Sequence, residues 1–242
     1  MTFSIVAHCP RTGQLGVAVS TAVPAVGSMC PYVRPGVGAV STQSWVNPYL
    51  AIEALRLMER GDAGPAALDA VLAGDAERDL RQVGLVDARG RAASWSGELC
   101  TDWAGHLVAE HVAIQGNMLV GEATVSAMAA AFHGAASSDL AERLLLAMEA
   151  GQAAGGDKRG RQSASLCVYG DEEYALLDLR VDEHPDPVAE LRRVHRVALR
   201  QLVPFVASMP KRKGAVAAPD PEVMRMLLQP PPDRPGGGGS GP

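Results

Sequence analysis

Thr2 is the residue whose type and position first suggest chemistry. A small second residue favours removal of the initiator methionine. A threonine freed in this way carries a hydroxyl nucleophile and an α-amine of pKa about 7.7–8.0 on one residue, so that the amine could activate its own Oγ. Met-Thr is also a common protein start. Here Thr2 leads straight into the apolar run Phe3 to His8, which reads as a strand able to hold an N-terminus in place.

A second segment combines glycines with charge: Gly155-Gly156-Asp157-Lys158-Arg159-Gly160-Arg161-Gln162-Ser163. Glycines let a backbone approach a ligand closely, and the forks of Arg159 and Arg161 suit carboxylate or phosphate. Asp157 could orient an arginine or an N-terminal ammonium. A solvated turn with scattered charge is the plainer alternative, and the spacing does not match a P-loop. Asn117 lies where a strand gives way to a helix, placed either to present its amide to an oxyanion or simply to make the turn. Gln43 and Asn47 also end a strand and open a helix, where polar groups face a ligand or cap the helix, with capping the safer reading for both. Arg34, between Tyr32 and Pro35, sits in an apolar neighbourhood and could depress the pKa of a nearby amine. The six histidines show no metal-ligand spacing, no GxSxG elbow is present, and neither a metal nor a cofactor is expected.

These residues must be positioned by the elements around them. Strand character runs over residues 3–8, 15–21 and 36–44, followed by helices from Pro48 to Gly61 and from Gly64 to Leu72. Gln82 to Val86 and Arg91 to Trp95, joined by Asp87-Ala88-Arg89-Gly90, make a hairpin. A strand at 111–115 precedes helices at 122–133 and 139–150, the second carrying Leu140, Leu144, Leu145 and Met148 on one face. Strands at 163–169 and 174–181 follow. Asp186-Pro187 then starts one helix running to about Phe205. Strand runs alternating with helix runs favour an α+β layered domain over a doubly wound sheet.

The 242 residues carry 22 basic and 27 acidic side chains, 47% hydrophobic residues and a net charge of -5, which is globular composition. No broad basic surface is offered to nucleic acid, and no apolar stretch is long enough to span a membrane. The N-terminus has no secretory pattern, and the scattered Cys9, Cys30, Cys100 and Cys167 suggest reduced thiols, so a cytoplasmic location is expected. The expected organisation is a core domain over 1–182, a C-terminal helix over 183–209 and a tail over 210–242 that is mostly disordered.

Several stretches together carry a family resemblance: Met1-Thr2-Phe3-Ser4-Ile5-Val6-Ala7, Gly36-Val37-Gly38-Ala39-Val40, Trp103-Ala104-Gly105-His106, Gln115-Gly116-Asn117-Met118-Leu119, Ala154 to Ala164, and His184-Pro185-Asp186-Pro187. The chain resembles, over about its first 190 residues, the bacterial domain of unknown function 1028 family, which is grouped with the N-terminal nucleophile hydrolases. The resemblance implies a four-layer αββα sandwich of two antiparallel sheets between helices, and Thr2 as nucleophile once Met1 is gone. Proteasome-type relatives in that superfamily pair the threonine with an aspartate on the second strand and a lysine on the third. Here Leu15 to Thr21 has no acid, and Arg34, which cannot serve as a base, stands near the place of the lysine. The peptide-cutting mechanism therefore does not carry over intact.

The reading is an amidohydrolase acting on a small, anionic amide, with Thr2 as nucleophile, Asn117 stabilising the oxyanion and Asp157 positioning an ammonium. Arg34, Gln43, Asn47, Arg159, Arg161, Gln162 and Ser163 line the substrate site, and a homo-oligomer is expected. A small-anion-binding protein that keeps the fold without catalysis is the competing reading, and a scaffold acting through its tail is a third.

Overall fold

The computed structural model describes residues 2–214 and 220–229. Met1, whose removal the sequence suggests, residues 215–219 and the proline- and glycine-rich end from 230 lie outside the described residues. The chain falls into two compact units, residues 1–194 and 195–242.

The first unit is a four-layer αββα sandwich. Its larger sheet is antiparallel, in the order β10-β9-β2-β1-β8-β7, from β1 (Thr2–His8), β2 (Leu15–Thr21), β7 (Gly105–Ala109), β8 (Val112–Asn117), β9 (Ser163–Tyr169) and β10 (Ala175–Val181). The smaller is antiparallel in the order β3-β4-β5-β6, from β3 (Pro31–Arg34), β4 (Gly38–Ser44), β5 (Arg81–Asp87) and β6 (Ala92–Ser96).

β1 and β2 are buried at every position, because a helix layer covers one face and the second sheet the other. Their sequences are accordingly apolar or small on both faces. Between the sheets Val6, Leu15 and Val17 meet Ala39 and Val86. Outside the smaller sheet lie α1 (Pro48–Glu59) and α2 (Gly64–Ala73), where Leu50, Leu55, Leu68 and Leu72 pack on Val40, Val83 and Leu85. Asn47 caps α1, accepting the Tyr49 N–H at 3.1 Å, with Pro48 at the first turn.

The larger sheet is covered by α3 (Ala123–Gly134) and α4 (Leu140–Ala153). Gly16 of β2 lets Leu144 descend onto the sheet, since a Cβ there would lie 2.8 Å from the Leu144 methyl. α5 (Pro187–Gln201) begins in this unit, where Arg192 is clamped by Glu142 and by Glu149, the latter at 2.7 Å.

The second unit holds the end of α5, then α6 (Val203–Ala207) and α7 (Pro221–Leu228). The single helix expected to run to Phe205 is thus two: Pro204 has no N–H to continue the ladder of α5, and the chain restarts with that proline in the first turn of α6.

Candidate functional site

Thr2 opens the central strand of the larger sheet. Its Cα lies opposite Thr21 of β2 on one side and Asn117 of β8 on the other. The side chain is buried, and its hydroxyl donates to Thr21 Oγ1 at 3.2 Å. Pairing on both sides holds the hydroxyl in place, as the sequence leads one to expect of a residue running into an apolar strand. Thr21 was not among the expected site residues; only the β1–β2 register brings it there.

Beneath Thr2, between the sheets, lies a closed network of amides. Gln43 Nε2 donates to the Thr2 carbonyl at 3.3 Å and to Gln82 Oε1 at 2.8 Å, while its Oε1 accepts from Ser4 Oγ at 2.6 Å. Gln115 Nε2 donates to Ser4 Oγ at 2.6 Å. Asn117 Nδ2 donates to Gln82 Oε1 at 2.8 Å, and Gln82 Nε2 reaches Ser96 Oγ at 2.7 Å and the Gly116 carbonyl at 2.8 Å. Gln43, Gln82 and Gln115 are fully buried, which is tolerable only because each finds partners. Gly84 makes the space: a Cβ there would lie 1.9 Å from Gln115 Oε1. Gln43 and Asn117 are therefore brought to Thr2, as members of this hydrogen-bonded network. Gln82, Gln115 and Ser4 were missed, and the Gln-Gly-Asn run ending at Asn117 was the one sequence signal that touched them.

Asp157 lies near the same end and is also engaged. Its carboxylate accepts the Ala22 N–H at 3.0 Å and the Arg159 N–H at 2.8 Å, with the Arg159 guanidinium at 3.3 Å. Since Ala22 follows Thr21, this ties the glycine-rich loop to the end of β2. Leu119 and Asp157 form an isolated bridge, which binds the loop to the chain leaving β8 as well. Arg161 pairs with Asp186 at 3.1 Å, the Gln162 N–H donates to the Thr21 carbonyl at 2.8 Å, and Ser163 Oγ donates to the Val23 carbonyl at 2.6 Å. Both loop arginines thus have carboxylate partners within the protein.

Two expected site residues lie elsewhere. Arg34 is opposite Gly38, at the far end of the smaller sheet from Gln43, and pairs with Glu59. Asn47 caps α1 and donates to Asp75 Oδ2 at 2.9 Å, beside a groove of about 530 Å³ between α1 and α2. Asp75 is raised by burial but held below the usual carboxylate value overall by hydrogen bonds from Arg81, Asn47 and the Glu77 N–H.

A model of the family of unknown function DUF1028 matches residues 2–191. The chain belongs to this family. The crystal structure of a protein from Silicibacter pomeroyi, assigned to the same DUF1028 family, is similar at TM-score 0.74 and 30% identity, over 81% of this chain and 88% of that one. Weaker likeness is found to Anbu, an ancestral β-subunit, from Yersinia bercovieri, at TM-score 0.40 and 13% identity over 88% of this chain and 100% of that one. Eukaryotic HslV from Trypanosoma brucei gives TM-score 0.42 and 10% identity over 69% and 98%. No curated protein matches the chain. Across this DUF1028 chain the family match thus spans both sheets and ends within α5.

Proposed function

We propose that this DUF1028 protein hydrolyses a carbon–nitrogen amide bond of a small substrate, with the Thr2 hydroxyl as nucleophile after Met1 is removed. The observation that carries the reading is the seat of Thr2: the first residue of the central strand, paired on both sides, with Oγ1 held 3.2 Å from Thr21 Oγ1. In the proposed reaction the freed α-amine takes the proton from Oγ as Oγ bonds to the carbonyl carbon. That proton passes to the departing nitrogen when the C–N bond breaks, and water then cleaves the ester to release a carboxylic acid. Asn117 keeps a second amide N–H besides the one given to Gln82, and its place opposite Thr2 in the β1–β8 register supports it as a donor for the developing oxyanion. The anionic character expected of the substrate gains no support from Arg159 and Arg161, whose charges are matched by Asp157 and Asp186.

The test is intact-protein mass spectrometry with a threonine-directed β-lactone, on wild type and Thr2→Ala, with peptide mapping of any adduct. Loss of Met1 together with an adduct on Thr2 that is missing from Thr2→Ala is the expected result. A retained Met1, or a free Thr2 that stays unmodified, ends the reading.

A further inference from the structure

The large apolar side chains exposed in the first unit, among the described residues, are Trp45, Tyr49, Leu99, Val108 and Val120. Val108 sits on the edge strand β7, and Tyr49 in the first turn of α1. Trp45, Leu99 and Val120, exposed by 68%, 65% and 62%, lie within three positions of the last residues of β4, β6 and β8. Those are the strand ends that meet Thr2: β4 through Gln43, β8 through Asn117, and β6 through Ser96 and its bond to Gln82. A lone exposed leucine needs no account, but three apolar side chains gathered at the end that holds one buried hydroxyl do.

The loops that carry them are fastened to one another. Trp45 N–H donates to the Leu80 carbonyl at 3.3 Å and Leu99 N–H to the Asp79 carbonyl at 2.9 Å, so the two flank the chain entering β5. Two strand spacings then separate them, about 10 Å. The Met118 N–H reaches the Thr101 carbonyl at 2.8 Å and the Leu119 N–H that of Trp103 at 2.9 Å, which ties the Leu99 loop to the chain leaving β8. Ser44 and Met118, beside Trp45 and Asn117, both hold the left-handed conformation that non-glycine residues rarely adopt, at φ 69° and 50°. The cations at this end are engaged within the protein: Arg81 by Asp75 and Glu77, Arg159 by Asp157, and Lys158 by the Asp102 carbonyl.

We infer that the acyl group of the substrate, the part that stays on Thr2 as an ester, is an aliphatic chain of several carbons lying on Trp45, Leu99 and Val120. The inference rests on Thr2 as the nucleophile and names the substrate class of that site: an N-acyl amide with an apolar acyl chain, instead of the anionic amide expected from the sequence. Ligand sites cover mostly apolar surface and orient it with a few polar groups, a part that falls here to Thr2 and Asn117. The distance between Trp45 and Leu99 is one that an extended chain bridges and a methyl group does not.

The probes are two threonine-directed β-lactones that differ only in the alkyl group of the acyl part, methyl in one and hexyl in the other. Attack by Thr2 Oγ breaks the ring C–O bond, leaves the acyl part as an ester on Thr2 and passes the proton to the ring oxygen. Intact mass follows the adduct. The hexyl lactone should react at least about tenfold faster, and Trp45→Ser and Leu99→Ser should each cut that ratio several-fold. Both side chains are exposed, so the variants should fold, and Val108→Ser on the edge strand should keep the ratio. Equal rates for the two lactones overturn the inference and leave Thr2 as nucleophile, whereas no adduct from either ends the amidohydrolase reading and this inference with it. A ratio unchanged in Trp45→Ser and Leu99→Ser overturns it as well, and a shift in their sedimentation alongside would assign the apolar rim to a second copy of the chain.

Discussion

Gln82 is the residue on which the seat of Thr2 rests. Its carboxamide accepts from Gln43 and Asn117 and donates to Ser96 and the Gly116 carbonyl, so it joins both sheets under the first residue of β1. Replacing it by leucine of similar size leaves two buried N–H groups without acceptors. We expect Gln82→Leu to cost about 3 kcal/mol in urea unfolding, from two orphaned donors at about 1–3 kcal/mol each. Gly84→Ala should act through space instead: the added methyl displaces Gln115, for about 2–3 kcal/mol by the same measurement. Thr2→Ala removes one hydroxyl hydrogen bond, and its unfolding free energy should stay within about 1.5 kcal/mol of wild type, so that lost reactivity reads as chemistry. The sequence showed Thr2, Asn117 and the loop around Asp157 because each sits at an element end or in an odd composition. It could not show the network, since Gln43 and Gln82 are 39 residues apart and meet only when the two sheets stack.

At the scale of elements, the turns at the end of the sandwich away from Thr2 are tied by titrating groups. His8 on β1 is held below its ordinary value first by burial and then by repulsion from His111, whose Nδ1 lies 3.1 Å from its own. At the opposite end, near Thr2, burial also lowers His106 on β7, which lies across from Gln115. Asp87, at the end of β5, is raised by burial but lowered overall by the N–H groups of Gly64, Arg91 and Arg89 and by the Arg91 side chain. For the histidines the unfolded chain takes up protons first, so stability present above pH 6.5 falls as pH drops through the lower folded values. For Asp75 and Asp87 the contribution is present above about pH 4 and is lost below it. Urea unfolding at pH 8, 5.5 and 3.5 should therefore show two successive losses. His8→Gln should flatten the first, and Asp87→Asn the second while lowering stability at pH 8.

The elements themselves were largely legible. α4 stands out because Leu140, Leu144, Leu145 and Met148 share a face, and the β5–β6 hairpin because its turn carries Asp87 and Gly90. The strands that escaped notice, β3 and β7, are short edge strands, one opening on Pro31 and the other on Gly105. Neither needs an apolar run, because each pairs on one side only within its sheet.

Over the whole molecule, no helix among the described residues is long and apolar enough to cross a membrane. The order of strands in space departs sharply from their order in the chain. β3 to β6 come from one continuous stretch and neighbour each other in sequence order, whereas β1 waits for β8 and β2 for β9. During synthesis, therefore, the smaller sheet can close as soon as Ser96 has left the ribosome. The β1–β2 hairpin, made first, carries two unsatisfied apolar edges until Asn117 and then Tyr169 emerge. The candidate nucleophile is thus among the first residues translated and among the last to reach its final surroundings, and the nascent chain is most in need of a chaperone during that interval.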